Sequence, residues 1–267
     1  MPEGDTIWRT AEALRQGLQG KRVTAARPDR FKRFTGATVI DVKPVGKHLL
    51  IRFDNGLAIH SHMRMQGAWH IYGRGEKWRR PEWQAKALLE TDDTVAVCFS
   101  APVIDLVRDE KTKIGHLGPD IIGETWSARE VVARARAKNA SAIGELLLDQ
   151  RITAGIGNVY RCEALWQRRI NPWTPTSELA DDALQALFET ARDQMKANLD
   201  TTIGRHRRFP GYGRGAVHGR GGQPCPRCGT RIRVKAQGEL ARLTYWCPAC
   251  QPDSASARPV KGRLSPV

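Results

Sequence analysis

The chain has 267 residues, 40 % of them hydrophobic, enough for one large domain or two ordinary ones, each with its own core. It holds no run of about 18 apolar residues, which excludes a membrane-spanning helix, and its first residues lack the basic-then-apolar order of a secretory signal, so the expected location is cytoplasmic (nucleoid-associated if the source is bacterial). Lysine and arginine number 43 against 28 acids, a net charge of +15, and such an excess favours a polyanionic partner, nucleic acid above all.

The chain opens MPEGD. Asp5 or Thr6 is placed to cap a helix over 6–19, where Ile7, Ala11, Leu14 and Leu18 recur on one face and Gly20 stands at the C-terminal cap. The period then changes to two. Segments 38–43, 48–53, 57–62, 67–72, 85–90 and 95–100 read as strands, with DNG at 54–56 and TDD at 91–93 as hairpin turns, and this succession predicts a β-sandwich. After residue 115 the pattern turns helical, over 127–136 with Ser127 as cap, then 141–148, 156–167 and 181–198; LGPD at 117–120 is the best boundary between the two regimes. An arginine- and glycine-rich stretch follows at 204–222. The last residues, 252–267, lack apolar periodicity and read as a disordered tail.

Positive charge is concentrated in one place. No acidic residue occurs from 201 to 238, a stretch that carries Arg205, Arg207, Arg208, Arg214, Arg220, Arg227, Arg231, Arg233 and Lys235. A solvated face normally mixes signs, so this stretch is expected to face phosphates. Four of the six cysteines lie in the same region: Cys225 and Cys228 enclose one dipeptide, Cys247 and Cys250 another, with 18 residues between the pairs. Two thiolates on a tight turn can face one ion, and two such turns complete a tetrahedron. RIRVK and RLTYW between them would form a hairpin. Two disulfides or a redox pair would use the same residues, but a chain without an export signal argues against the first and the matched spacing against the second. Four thiolates leave no open coordination position, so the zinc is structural. Cys98 and Cys162 read as buried apolar residues.

Taken together, MPEG, GKHLL at 46–50, SHMRMQG at 61–67, LLLDQRITAGIGNVYRCEALW at 146–166, VHGRGGQPC at 217–225 and the paired cysteines resemble the bifunctional DNA glycosylases of the formamidopyrimidine-DNA glycosylase and endonuclease VIII type, from residue 2 to residue 251. The resemblance implies an α+β multidomain fold: an N-terminal catalytic β-sandwich with a leading helix (1–116), a helix–two-turn–helix DNA-binding domain (117–216), and a C-terminal β-hairpin zinc finger (217–251), followed by the tail. It implies damaged DNA as partner, one structural Zn2+ on Cys225, Cys228, Cys247 and Cys250, and a monomer.

It also implies roles. With Met1 removed, Pro2 would attack C1′ of the damaged nucleotide, and its secondary amine would form an iminium that acidifies the C2′ proton. An α-amino group titrates near pH 8, and the partial positive charge at a helix start favours its neutral form. Glu3 would donate and accept protons, and Lys47 would assist at the lesion strand. His62, Asn158 and Arg242 would hold phosphates, Asn158 from a glycine-rich turn at a helix start, with Arg242 gripping those that flank the flipped nucleotide. Met65 would fill the gap left by the departing base. Taken singly, Glu3 would read as a helix-terminal carboxylate, Lys47 as a solvated strand end and Met65 as core. Three departures from the family pattern stand out. Thr6 occupies a position where a glutamate is frequent, residues 101–116 lack an Asp-Pro-Arg-Arg-Phe-Gly loop, and His218 replaces a tyrosine. These favour the endonuclease VIII branch: excision of oxidised pyrimidines, then strand nicking by β- and δ-elimination. The rivals are an oxidised-purine glycosylase of the same family and a noncatalytic zinc-dependent DNA-binding module.

Overall fold

Helix α1 (Gly4–Leu18) lays Ile7, Ala11, Leu14 and Leu18 into the core and ends at Gly20, whose φ of +78° suits the chain reversal there. The structure, a computed structural model, describes residues 2–138, 140–200, 207, 209 and 211–253; most of the expected tail and part of the acid-free stretch lie outside them. The helix begins two residues earlier than its periodicity suggests. Glu3 takes the N-cap position rather than Asp5 or Thr6, and Asp5 is fully buried.

Two four-stranded antiparallel sheets follow. One orders β1 (Ala25–Arg27), β6 (Ala85–Glu90), β7 (Thr94–Phe99) and β5 (Ala68–Gly73); the other orders β2 (Val39–Val45), β3 (His48–Phe53), β4 (Ala58–His62) and β8 (Val103–Val107). Leu14, Val39, Ile51, Phe53, Leu89 and Cys98 belong to the core they share with α1. Two strands are additional to those read from the pattern. β1 has only three residues, and β8 alternates too briefly to show a period.

After the short α2 (Lys111–Ile114), which lies against the sandwich, the helical half comprises α3 (Ala128–Arg136), α4 (Ile143–Leu146), α5 (Asn158–Gln167) and α6 (Asp181–Lys196), around Ile121, Val131, Leu165, Leu187, Phe188 and Met195. Ser127 occupies the N-cap of α3 without a side-chain cap bond. The helix expected over 141–148 shrinks to one turn. The backbone there is used elsewhere: Ile143 N–H donates to Thr174 O and Gly144 N–H to Pro172 O, both 2.9 Å.

The hairpin of β9 (Arg233–Gln237) and β10 (Arg242–Trp246) packs on α5 through a third core that includes Trp166, Val217, Ile232 and Cys247. Arg161 is fully buried between them, donating to Gly144 O, Leu243 O, Thr244 Oγ1 and Asn158 Oδ1. Glu163, also buried, accepts the N–H groups of Ala216, Val217 and His218 at 2.7–3.0 Å. A buried charge is tolerated when hydrogen bonds replace its water; Glu163 meets that condition, and Arg161 meets it through Nη1 and Nη2 while its Nε has no partner among the described residues. No helix among the described residues is long and apolar enough to cross a membrane.

Candidate active site and metal centre

The N-terminal segment is seated on the turn before α5. Glu3 is fully buried; its Oε2 accepts the Gly157 N–H at 3.0 Å and its Oε1 the Val159 N–H at 2.9 Å, while Gly4 N–H donates to Gly155 O at 3.0 Å. The carboxylate thus satisfies two donors that a helix start leaves open. A Cβ on Gly157 would lie 2.2 Å from Glu3 Cδ, so only glycine fits there. The backbone N–H groups of Gly157 and Val159 hold Glu3, not a phosphate. Asn158 is the first residue of α5, with Gly157 at the N-cap. Its Nδ2 donates to Leu243 O at 2.9 Å and its Oδ1 accepts from Arg161, so its amide ties the helix to the hairpin.

Pro2, half-buried, precedes Glu3 in the chain. On the other side of Gly157 opens a cleft of about 440 Å³ between sandwich, helical half and hairpin, lined among others by Lys47, His62, Met65, Asn158 and Arg242. The five residues expected at the DNA are therefore brought to one place from three parts of the chain. Glu3 and Pro2 do not line this cleft. Glu3 lies behind its Gly157 wall.

Lys47 follows Gly46, whose N–H donates to Asp120 Oδ2 at 2.7 Å and whose positive φ of +57° sets the tight β2–β3 turn. Burial pushes the Lys47 ammonium down to about 8, with Arg242 and Arg207 pushing the same way and Glu3 opposing. His62 is held down to about 4 by burial, Lys47 and Arg64, and its Nδ1 accepts the Arg64 N–H at 3.2 Å. Met65 is 63 % exposed, a large apolar side chain held at the cleft rather than in the core.

Residues 101–116 are bound back onto the sandwich. They contain β8 and α2, Glu110 forms a two-bond fork with Arg52 at 2.6 and 2.7 Å, and Lys113 pairs with Asp105 at 2.8 Å. Arg108 is exposed.

The acid-free stretch is less of a phosphate face than its charge suggests. Arg207 forks onto buried Asp5 with two bonds of 2.8 Å and lies 5.2 Å over the Tyr160 ring. Arg227 donates to Trp166 O and Gln167 O, carbonyls at the end of α5, and stacks 4.0 Å over the Trp166 ring. Arg220 and Arg231 likewise donate to backbone carbonyls. The sequence pattern missed these partners, and also Arg161 and Glu163. A buried ion pair between residues 5 and 207 has no local signature.

The four cysteines converge. Their sulfurs lie within 4.8 Å of one another, with separations of 3.9 Å for Cys225–Cys250 and 3.4 Å for both Cys228–Cys247 and Cys228–Cys250. A tetrahedral ion with bonds of about 2.3 Å to sulfur requires edges of about 3.8 Å. Trp166 Nε1 points a donor at Cys225 Sγ from 3.4 Å, the outer-shell support a metal-bound thiolate receives. The set fits one structural zinc and leaves no position for a substrate.

Three family models match in chain order: the formamidopyrimidine-DNA glycosylase N-terminal domain over 1–102, the formamidopyrimidine-DNA glycosylase H2TH domain over 117–207, and the zinc finger found in FPG and IleRS over 222–252. The chain belongs to the formamidopyrimidine-DNA glycosylase and endonuclease VIII family. It is 43 % identical over 263 residues to probable endonuclease 8 2 of Streptomyces coelicolor, covering 94 % of each chain. It is 38 % identical over 262 residues to the DNA-(apurinic or apyrimidinic site) lyase Nei2 of Mycolicibacterium smegmatis, covering 94 % of this chain and 99 % of that one. A formamidopyrimidine-DNA glycosylase of a Caulobacter species is 29 % identical over 284 residues, with coverage of 94 % and 99 %. Among solved structures, the complex of the Lactococcus lactis enzyme Fpg with DNA containing an abasic site superposes with a TM-score of 0.79 at 20 % identity, over 94 % of this chain and all of that one.

Proposed function

We propose that this chain removes oxidised pyrimidines from DNA with Pro2 as nucleophile and Glu3 as its proton-transfer partner. The broader activity is that of a bifunctional DNA glycosylase and AP lyase of base excision repair. The observation that carries the finer reading is the seat of Glu3: a carboxylate one residue from the N-terminal proline, fixed by two backbone donors on the wall of a cationic cleft.

The chemistry follows from the parts. The Pro2 nitrogen forms a bond to C1′ as the glycosidic bond breaks, and the base leaves with a proton supplied through Glu3. Opening of the sugar gives an iminium. Loss of the C2′ proton then expels the 3′ phosphate, and a second elimination expels the 5′ phosphate. Lys47, His62 and Arg242 line the cleft where those phosphates would lie, and phosphate contacts fix the register of the strand. Arg64, Met65 and Gln66, on the turn between β4 and β5, would hold the gap left by the extruded nucleotide.

The pinned 101–116 segment and the higher identity to endonuclease 8 relatives support the pyrimidine preference. The three matched models support a division at 1–116, 117–216 and 217–251. We further propose a monomer acting on nucleoid DNA in the cytoplasm. Borohydride trapping tests the mechanism. Protein with a free Pro2 is expected to form an adduct with abasic and oxidised-pyrimidine duplexes. An N-terminally blocked protein should bind DNA and form none. Full trapping by the blocked protein would overturn Pro2, and a marked preference for 8-oxoguanine opposite cytosine would overturn the lesion class.

A further inference from the structure

Three histidines from two adjacent strands meet at this cleft. His48 on β3 and His62 on β4 are direct cross-strand partners, their rings edge-on at 4.8 Å. His60, two residues earlier on the same face of β4, is 2 % exposed. Its Nε2 lies 2.8 Å from His48 Nδ1, so one proton is shared between the two rings. Its Nδ1 faces Asp105 of β8 at 3.9 Å, and Asp105 is paired with Lys113 of α2. The Asp105 charge favours a proton on His60 Nδ1. His60 Nε2 is then the acceptor, His48 Nδ1 carries the shared proton, and His48 Nε2 is left with a lone pair. His48 lines the cleft next to Lys47.

A lone pair is the wrong group to meet a phosphate, which needs donors. On the reading that this cleft holds DNA phosphates, we propose that His48 is a further phosphate-contacting residue, protonated at Nε2 when DNA enters, and that His60 is the positioning residue that fixes its ring. The proton comes from solvent, and no covalent bond changes. In the free protein burial opposes the imidazolium first, and the near groups add to it. His62 and His60 from β4, His116 beyond α2 and Lys47 in the turn before β3 all disfavour it, Arg64 and Arg242 line the same cleft, and Asp105, the acid that faces His60, is already paired with Lys113. Together they hold His48 down to about 3. A phosphodiester brings the missing negative charge and raises that value. The bound form is therefore favoured at low pH and lost as pH rises through the bound-state pKa. For each proton taken up, Kd tightens up to tenfold per pH unit on acidification across that window.

Calorimetric titration of the full chain with a duplex carrying a tetrahydrofuran abasic analogue reads this directly. The titration is run at pH 7 and constant ionic strength in PIPES and in Tris, which differ in ionisation enthalpy. The wild type is expected to show a buffer-dependent enthalpy equal to net proton uptake. His48→Gln should bind more weakly and lose most of that uptake, while His62→Gln, run in parallel, should leave a share. His60→Leu should behave like His48→Gln, and His60→Gln, which keeps an acceptor for His48 Nδ1, should restore the uptake. An enthalpy independent of buffer in the wild type overturns the proposal whatever the variants do, as does unchanged uptake in His48→Gln. Tight binding and borohydride trapping without proton uptake would sink the role of His48 and leave the glycosylase reading intact. Absence of both would sink the two together.

Discussion

Glu3 and Asp5 lie two residues apart and serve different partners. Asp5 is neutralised by the Arg207 fork, while Glu3 faces backbone donors beside the cleft. Glu3→Gln removes the acid and, with one oxygen in place of two, forfeits one of the two N–H bonds. Base excision should fall by a factor on the order of 10² or more, with nicking of preformed abasic sites largely retained, because an aldehyde needs less acid assistance. Single-turnover assays on both substrates check this, and thermal melting should show a loss of about 1–3 kcal/mol from the orphaned donor. Lys47 makes a pH prediction. Its pKa of about 8 means that its charge is present below that value and lost above it. DNA affinity should weaken between pH 7 and 9, and the salt slope should shrink by roughly one phosphate's share. Lys47→Arg should flatten that profile, measured by fluorescence anisotropy. The roles proposed for Glu3 and Lys47 rest on the family resemblance. Glu3's donors stand 154 and 156 positions along the chain, beyond the reach of any local pattern.

At the scale of elements, the longer helices were legible because one face of each is buried. α1 and α6 show clear periodicity, β3 and β4 are buried over consecutive residues on both faces and were legible only as short runs between turns, and β1 and α4 are too short to show a pattern. The GIGN turn was legible as an anion site, and it is one, but the anion is the chain's own carboxylate. The seam between α5 and the zinc hairpin was not legible. It depends on Arg161, which inside a helix looks like any surface arginine. Arg161→Met should leave Asn158 Oδ1, Thr244 Oγ1 and two carbonyls short of a donor. We expect a loss of about 3 kcal/mol and weaker DNA binding with zinc content unchanged, followed by urea denaturation and metal analysis. Removing the metal should act from the other side of the seam. Cys225 and Cys247 belong to the third core, which is too small to hold the hairpin without zinc. Chelation should abolish DNA binding while the far-ultraviolet signal of the sandwich persists.

For the whole molecule, the charge balance pointed to the class of partner but not to the arginines that would meet it. Among the described residues of the acid-free stretch, Arg207, Arg220, Arg227 and Arg231 are committed to the fold, and the cleft draws its cations from Lys47, Arg64 and Arg242. Burial of histidines beside those cations has a cost at low pH. His48, His62 and His218 are held near 3, 4 and 4, against about 6.5 when unfolded. Their neutral forms support the fold fully above pH 6.5. Below it the unfolded chain gains protons that the folded chain resists, so stability falls by up to about 4 kcal/mol per pH unit toward pH 4. Urea midpoints at pH 7, 6 and 5 should decline in that order, and bound DNA should reduce the decline.

The seat of Glu3 also orders events during synthesis. Residues 2–4 are made about 150 residues before the backbone that receives them, which ends at Val159. At about 5–20 residues per second, the new N-terminus therefore remains without its partner for on the order of ten seconds. On the proposed role of Pro2, trimming of Met1 has that interval in which to act on an open chain. Once α5 is made, the helix start closes over Glu3, and a terminus that escaped processing would be folded into place with its amine still capped.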